Sequence, residues 1–406
     1  MTKRNKNYLP KNWSFLKVSD CGKICSGGTP DTNNPQYWDG NIKWITPSEV
    51  SKLKTRYISK TERNITSLGV LNSSATVLPP NSLIVCTRAT IGSCCINKVE
   101  LSTNQGFKSI IPNSKINIDF IYYLLSFNKN DVVKKACGST FLEISKKDFE
   151  NLKILVPPLE EQKRIAKVLS TWDEGIENLE KLIALKEKQK RALMQRLLTG
   201  KTRLKGFSTP WKKVKLGDIG VFSKGKGISK DIITTQGVPC VRYGEIYTAF
   251  NFILDSPLSF IPMGQKQGLV LAKKNDILFA SSGETKEEIG KSITFQGDYN
   301  LFVGGDIIIF SPNNKINSIF LIYYLNVVSR RKLNQLGQGD SVVHIYRNHL
   351  ENLKIEFPSS KEQQAIAEVL TTADHEISQL KNKLEVFRKQ KKYLMQQLLT
   401  GKKRLV

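Results

Sequence analysis

The chain has 406 residues, more than one ordinary core accommodates, so two or three domains are expected. Its 40% hydrophobic and 24% charged residues suit a folded chain and exclude global disorder. Lys and Arg number 62 against 36 Asp and Glu, a net charge of +26, and a protein this basic is expected to meet a polyanion, with nucleic acid the first candidate.

No apolar run approaches the roughly 18 residues of a membrane span, and the basic start Met1–Asn7 leads into no apolar signal core. A cytoplasmic protein with no membrane partner is therefore expected. Five of the seven cysteines (Cys21, Cys25, Cys86, Cys94, Cys95) fall in the first hundred residues. Their odd total argues for reduced thiols rather than a disulfide framework. Cys21 and Cys25 are spaced C-x3-C, but no paired CxxC and no nearby histidine supports zinc, and no metal site is expected.

In chain order, the first segment to about residue 156 is a mixed domain. Ser82–Val85 reads as a buried strand, and Gly27-Gly28-Thr29-Pro30 as loop punctuation. Tyr122-Tyr123 sits in a short apolar helix, where aromatics are read as core rather than as base-stacking platforms. Pro157-Pro158 then stops the chain, and Glu160-Glu161-Gln162 opens a long helix with an acidic first turn. Apolar residues follow at Ile165, Leu169, Trp172, Ile176, Leu179, Ile183, Leu193 and Leu197, in steps of four and three that form a heptad seam. Gly200 suits a left-handed cap. After a linker over 201–211 a second mixed domain covers 212–357, with strands at Asp276–Phe279 and Asp306–Phe310. A second long helix over 358–406 carries Ile366, Leu370, Ala373, Ile377, Leu380, Leu384, Phe387, Leu394 and Leu398, and closes at Gly401. Lys186, Lys190 and Lys391 interrupt the two seams.

The second half repeats the first. Ile144–Leu204 returns as Ile345–Leu405 at a constant offset of 201 residues, with about half of roughly 60 aligned positions identical. Glu150-Asn151-Leu152-Lys153-Ile154 returns as Glu351-Asn352-Leu353-Lys354-Ile355, and Ile121-Tyr122-Tyr123-Leu124 as Ile322-Tyr323-Tyr324-Leu325. The expected fold class is α+β: two tandem globular domains, 1–156 and 212–357, each followed by a long helix, 157–200 and 358–406. The helices are expected to pair as an antiparallel coiled coil, each a rod of about 60 Å. An amphipathic helix lying on its own domain is the plainer alternative.

Motifs of chemistry are missing. A base-flipping adenine methyltransferase would carry Asn/Asp-Pro-Pro-Tyr/Phe, and the chain has only Leu78-Pro79-Pro80-Asn81 and Val156-Pro157-Pro158-Leu159. Gly290-Lys291-Ser292 and Gly200-Lys201-Thr202 fail the spacing of a phosphate-binding loop. No catalytic residue is expected. The basic residues instead gather at the helix ends and in the domain loops, where Lys and Arg would hold phosphates and polar side chains read base edges.

Two variable domains, each followed by a repeated helix, resemble the specificity (S) subunit of Type I restriction-modification systems, the HsdS-like family. Local wording is similar: Ser26-Gly27-Gly28-Thr29-Pro30, Tyr37-Trp38-Asp39-Gly40-Asn41-Ile42-Lys43-Trp44-Ile45-Thr46-Pro47, Ser102-Thr103-Asn104-Gln105-Gly106-Phe107 and Pro157-Pro158-Leu159-Glu160-Glu161-Gln162. The second domain departs from it, with Phe222-Ser223-Lys224-Gly225-Lys226-Gly227-Ile228 and Val238–Tyr247. The resemblance implies target-recognition domains that read the two halves of an asymmetric, split double-stranded DNA target. It also implies helices that hold the halves at fixed spacing and dock two methyltransferase (M) subunits, with restriction (R) subunits completing a phage-defence complex. S-adenosylmethionine, ATP and Mg2+ would belong to those partners, which would carry adenine-N6 methylation, translocation and cleavage. A coiled-coil DNA-binding scaffold or regulator without enzyme partners is the second reading, and an enzyme in its own right the third. Candidate DNA-binding residues are Gly27, Gly28, Thr29, Lys43, Thr46, Ser48, Thr87 and Arg88 in the first domain, and Lys224, Lys226, Arg242, Tyr243, Ser281 and Ser282 in the second. The candidate coil or docking residues are Ile165, Leu169, Trp172, Ile176, Leu179, Leu193, Leu197, Ile366, Leu370, Ile377, Leu380, Leu394 and Leu398.

Overall fold

A computed structural model describes residues 10–136, 142–340 and 342–405. The chain forms two compact units, Met1–Glu180 with Asn382–Val406, and Lys181–Lys381. The boundaries read from the sequence follow the repeat, whereas compact packing divides each long helix between the two units.

In unit one, Gly22–Ser26, Phe107–Pro112, Leu83–Cys86, Cys94–Asn97 and Tyr57–Ile58 form a five-stranded sheet in that order. Its last pair is parallel and the others antiparallel. A three-stranded sheet, Arg63–Ile65, Trp38–Ile45 and Leu101–Thr103, lies beside it in the chain order. Ser14–Lys17 pairs antiparallel with Lys153–Val156, so the start of the domain is tied to the strand that leads into the long helix. Leu83, Ile84, Val85 and Cys86 are all fully buried, which is why four successive apolar residues are tolerated in one strand.

Unit two repeats this plan. Gly220–Lys224, Ile307–Pro312, Ile277–Ala280, Ser292–Phe295 and Ile253–Leu254 form its five-stranded sheet, with the same parallel last pair. Its second sheet gains an edge strand: Ser259–Ile261, Val238–Val241, Leu301–Val303 and Val270–Ala272. The short helices Ile118–Phe127 and Ser318–Val327 are opened by Asn117 and Asn317, whose side chains accept from Phe120 N–H at 2.9 Å and Phe320 N–H at 2.8 Å. Tyr123 and Tyr323 are fully buried in them, as a core reading of these aromatics requires.

The long helices run Leu159–Leu197 and Ser360–Leu398. Within unit one they pair antiparallel: Trp172 packs edge-on against Phe387 at 5.2 Å, Asp173 holds Lys391, and Glu180 pairs with Arg388 at 2.6 Å. Within unit two, Lys186 meets Glu376 at 2.6 Å, Glu187 meets Lys381 at 2.7 Å, and Lys190 meets Asp374. The lysines that interrupt the seams are thus its ionic rungs, each facing a carboxylate on the opposing helix. Ile165, Leu169, Leu179, Leu197, Ile366, Leu370, Ile377 and Leu398 are buried, and Trp172, Ile176, Leu193, Leu380 and Leu394 are half-buried. Each fully buried side chain of this kind stabilises the packing by about 1.5–3 kcal/mol. Ile165, Leu169 and Leu398 join the globular core of unit one and Leu197, Ile366 and Leu370 that of unit two, so the ends of the seams lie on the domains, while Leu179 and Ile377 are buried outside those cores. Gly200 and Gly401 take the left-handed conformation, with φ of 68° and 71°, and close the two helices.

The constant helix starts do more than carry acidic first turns. Glu161 is 5% exposed and accepts from Arg404 Nε and Nη2, both at 2.7 Å, and from Trp13 Nε1 at 3.1 Å. Burial would raise its pKa, but these hydrogen bonds and that of Leu405 N–H override the effect and lower it. In unit two, Glu362 accepts from Arg203 Nε at 2.5 Å and Nη2 at 2.6 Å. Gln162 and Gln363 accept from Asn117 N–H and Asn317 N–H at 2.8 and 2.9 Å, which fixes each short helix to the start of a long one.

Candidate nucleic-acid interface

The candidate residues of unit one collect around the Asn104-Gln105-Gly106 turn, between the strands Leu101–Thr103 and Phe107–Pro112. Asn104 Oδ1 accepts from Gly106 N–H at 2.9 Å and fixes the turn. Thr29 is exposed and donates to Gln105 Oε1 at 2.6 Å. Gly27 and Gly28 are buried beneath it. A Cβ at Gly27 would lie 2.1 Å from Asn104 O, and one at Gly28 would lie 2.3 Å from Ser74 Oγ. These two glycines therefore let the backbone pass rather than present a contact. Trp44 Nε1 donates to Gly28 O at 3.0 Å and pins the segment.

On another side of the turn, Thr46 opens the helix Pro47–Lys52 with a reciprocal capping box: Thr46 N–H donates to Glu49 Oε2 at 2.8 Å. Ser48 is exposed, 3.0 Å from Thr46 Oγ1, and Lys43 is half-buried in Trp38–Ile45. A Cβ on Gly106 would stand 3.2 Å from Pro47 Cγ and 3.6 Å from Arg88 Cβ, which places this helix start and Arg88 at the same turn. Arg88 is exposed and pairs with Glu143 at 2.6 Å; Lys108 Nζ is 3.9 Å from the other oxygen of Glu143. Lys108 is buried, and burial lowers its pKa. Thr87 corrects the expectation. It is fully buried with its hydroxyl 3.2 Å from Gly106 O, so its side chain serves the turn and is not offered to a ligand.

Unit two gathers its candidates around the matching turn, Gly304-Gly305-Asp306. Gly225 N–H donates to Ile307 O at 2.9 Å and Lys226 N–H to Val303 O at 3.0 Å, while Gly304 N–H donates to Val241 O at 2.9 Å beside Arg242. Arg242 occupies the position of Thr46: its N–H donates to Glu245 Oε2 at 2.8 Å and opens Tyr243–Thr248. Tyr243 is half-buried, its ring 6.5 Å from that of Tyr247. Lys224 and Lys226 are exposed.

Lys224, Ser281 and Ser282 share one cleft of about 260 Å³. Asp306, His344, Tyr346 and Arg347 also line it. Ser282 Oγ lies 3.0 Å from His344 Nδ1, and the strand pair Ser282–Gly283 with Val343–His344 fixes that approach. His344, Tyr346, Arg347, Glu143 and Lys108 are not among the residues singled out from the sequence. A signal existed. The repeat begins at Ile144 and Ile345, and the residue just before it is Glu143 in one copy and His344 in the other, an unlike pair at the edge of the repeat.

The comparisons decide the family. A family model described as "Type I restriction modification DNA specificity domain" matches residues 10–187 and 208–386, one copy in each half. The chain belongs to the Type I restriction-modification DNA specificity family. Two relatives come from Methanocaldococcus jannaschii. The Type I restriction enzyme MjaIX specificity subunit is 31% identical over 69% of this chain and 68% of its own length. The MjaVIII specificity subunit is 26% identical over 98% and 94%. The crystal structure of a Type I restriction-modification S subunit from M. genitalium superposes with a TM-score of 0.59 at 18% identity, covering 97% of both chains. At that identity the superposition shows the shared fold.

Membership of the specificity family gives the two turns their context. In both units of this family member the exposed candidates stand at the edge of the sheets, Thr29, Arg88 and Lys226 on loops, Ser48 on the short helix and Lys224 at the end of a strand, and the scaffold beneath them is apolar and buried. Among the described residues, no group of His, Cys, Asp and Glu is arranged to hold a metal ion, and no helix is long and apolar enough to cross a membrane. The six described cysteines are free. Burial pushes Cys86 up to about 11 and Cys94 up to about 12, so these thiols are protonated core residues.

Proposed function

We propose that this chain is the sequence-specific DNA-binding specificity subunit of a Type I restriction-modification complex. Each unit reads one half of a bipartite, asymmetric duplex target, the paired helices dock M subunits, and R subunits complete the assembly. The chain supplies the address and no bond-breaking group of its own. S-adenosylmethionine, ATP and Mg2+ act on the partners, which carry adenine-N6 methylation, translocation and cleavage.

The observation that carries this reading is the duplicated family match laid over two turns with one backbone plan and different polar side chains. Like readers would favour a palindrome; Thr29, Thr46 and Arg88 against Lys224, Lys226 and Arg242 are unlike readers. Docking is supported by apolar side chains left outside the coil: Val386 and Tyr393 on unit one, and Leu182 and Leu185 on unit two, are all exposed.

Selection from a random duplex library by the full chain, together with methylome sequencing of cells carrying the intact system, tests the reading. The expected product is a two-part motif with unlike halves. Neutralising roughly 6 to 10 phosphates gives a log–log salt slope of about −5 to −9. No enriched motif, or a slope near zero, would refute it.

A further inference from the structure

The two turns support one pair of backbone positions. Thr87 N–H donates to Gly106 O at 2.8 Å and Ser281 N–H to Asp306 O at 3.0 Å. Ile144 N–H donates to Thr87 O at 3.1 Å and Ile345 N–H to Ser281 O at 3.0 Å. These bonds match Arg88 with Ser282 and Glu143 with His344. The backbone is conserved between the units while the side-chain pair is replaced: Arg88–Glu143 at 2.6 Å in one, Ser282–His344 at 3.0 Å in the other.

The neighbouring ladder position is exchanged as well. Ser26 faces Lys108 across the strands of unit one, and Lys224 faces Ile308 across those of unit two. The lysine has changed strands. A purely structural role does not account for this. Arg88 and Glu143 are 46% and 32% exposed, and an ion pair so solvated adds little to stability. What the arrangement does provide is a fixed, hydrogen-bonded side chain at each turn, the exposed Arg88 in one unit and the half-buried His344 held by the buried Ser282 in the other.

We propose that His344, oriented by Ser282, reads one base pair of the half-site bound by unit two, and that Arg88, oriented by Glu143, reads the matching base pair of the other half-site. The assignment rests on the proposed function and adds the residues that set specificity. Ser282 engages Nδ1, so the ring presents Nε2 to a ligand. Lys224 and Arg347 line the same cleft and outnumber Asp306, so the local field favours base edges rich in acceptors. The assignment takes the tautomer in which the Ser282 hydroxyl donates to Nδ1, so that Nε2 carries the proton and donates. Purine N7 and guanine O6 in the major groove are the acceptors it fits, and Lys224 and Arg347 are left for phosphates.

The test is selection from a random-sequence duplex library by the full chain, wild type and variants, with far-UV circular dichroism to verify folding. His344→Ala is expected to relax preference at one base pair of one half-site by roughly tenfold. Ser282→Ala should relax the same base pair less, and Arg88→Ala should relax one base pair of the other half-site. His344→Gln, which keeps a side chain of similar reach, should move the preference at that base pair toward adenine. Wild-type preference retained at every position by both His344 variants overturns the assignment. So does a loss spread across both half-sites. A wild-type chain that enriches no motif refutes the proposed function itself, a different result from a motif that survives substitution.

Discussion

The two units place the same acid at the same point of the coil and surround it differently. In unit one, Asp173 takes Lys391, the Tyr123 hydroxyl at 2.5 Å and Arg56 at 3.4 Å, and Asp119 holds Arg56 at 2.9 Å. In unit two, Asp374 takes Lys190 and the Tyr323 hydroxyl. The place of Arg56 is filled by Phe252, since Ile96 N–H donates to Arg56 O and Thr294 N–H to Phe252 O, both at 2.8 Å on matching strands. The place of Asp119, two residues past the helix-capping asparagine, is filled by Ile319. Lys190 then lies 5.1 Å from the Phe252 ring and 5.3 Å from that of Tyr323. The carboxylate, lysine and tyrosine are what the repeated coil requires. The shell around them is free to be an ionic network in one copy and an aromatic box in the other. In both, burial raises the tyrosine pKa and the hydrogen bond to the carboxylate raises it further, so the hydroxyl stays a donor.

The largest effect expected from this division is on specificity. Exchanging residues 212–357 for those of a related subunit should replace one half-site and leave the other, with affinity for the old target falling by about 10³-fold or more. Methylome sequencing checks it; a change in both halves would mean that the units are not independent readers.

Next comes the acid itself. Asp374→Asn removes the carboxylate hydrogen-bonded to Lys190, which is 7% exposed, and should cost about 3–4 kcal/mol. Asp173→Asn should cost about 1–2 kcal/mol, because Lys391 is 21% exposed and Arg56 keeps Asp119. Urea melts of the two variants measure the difference, and equal costs would show that the aromatic box does not matter. Adding Lys190→Met to Asp374→Asn should recover most of the loss.

The coil was legible in the sequence because a heptad is a one-dimensional pattern, and its middle residues Leu179, Ile183, Ile377 and Leu384 are buried outside the domain cores. The duplication was legible for the same reason. The roles of Lys190 and Lys391 were not, since a lysine in an apolar seam shows nothing of the aspartate 184 or 218 residues away that neutralises it. Glu161 and Glu362 were visible as first-turn acids, but their arginines lie 243 and 159 residues distant. The surface turns were legible as loops rich in Lys, Thr and Gly. Thr87 was misread there because nothing in Thr87-Arg88 shows which side chain points inward. His344 went unnoticed because its importance comes from sharing a strand pair with Ser282, not from any local motif.

The buried glutamates sharpen the comparison through pH. Glu161 has a folded pKa below its ordinary value of 4.5, so the native state binds the proton less readily than the unfolded chain. Its contribution is present above about pH 4.5 and is lost as pH falls through the folded value. Glu161→Gln should cost about 2–3 kcal/mol at pH 7 and flatten the acid limb of the stability curve. An acid limb unchanged in the variant would place the acid sensitivity elsewhere.

A last comparison isolates one hydrogen bond. Trp13 and Trp211 hold matching places beside the clamp arginines, with Arg404 5.7 Å and Arg203 5.9 Å from their rings, so the cation–π contribution is similar in the two units. They differ at the indole nitrogen. Trp13 Nε1 donates to Glu161 at 3.1 Å, whereas Trp211 Nε1 is buried with no partner among the described residues. Replacement by Phe removes a charge-assisted hydrogen bond in the first case and an unsatisfied donor in the second. Trp13→Phe should therefore cost about 1.5–3 kcal/mol more than Trp211→Phe, once the loss of ring area common to both is set aside. On a Glu161→Gln background the acceptor is no longer ionised, and the excess should shrink to about 1 kcal/mol. An excess that persisted undiminished would trace the asymmetry to the deeper burial of Trp13, 3% exposed, rather than to its bond with the carboxylate.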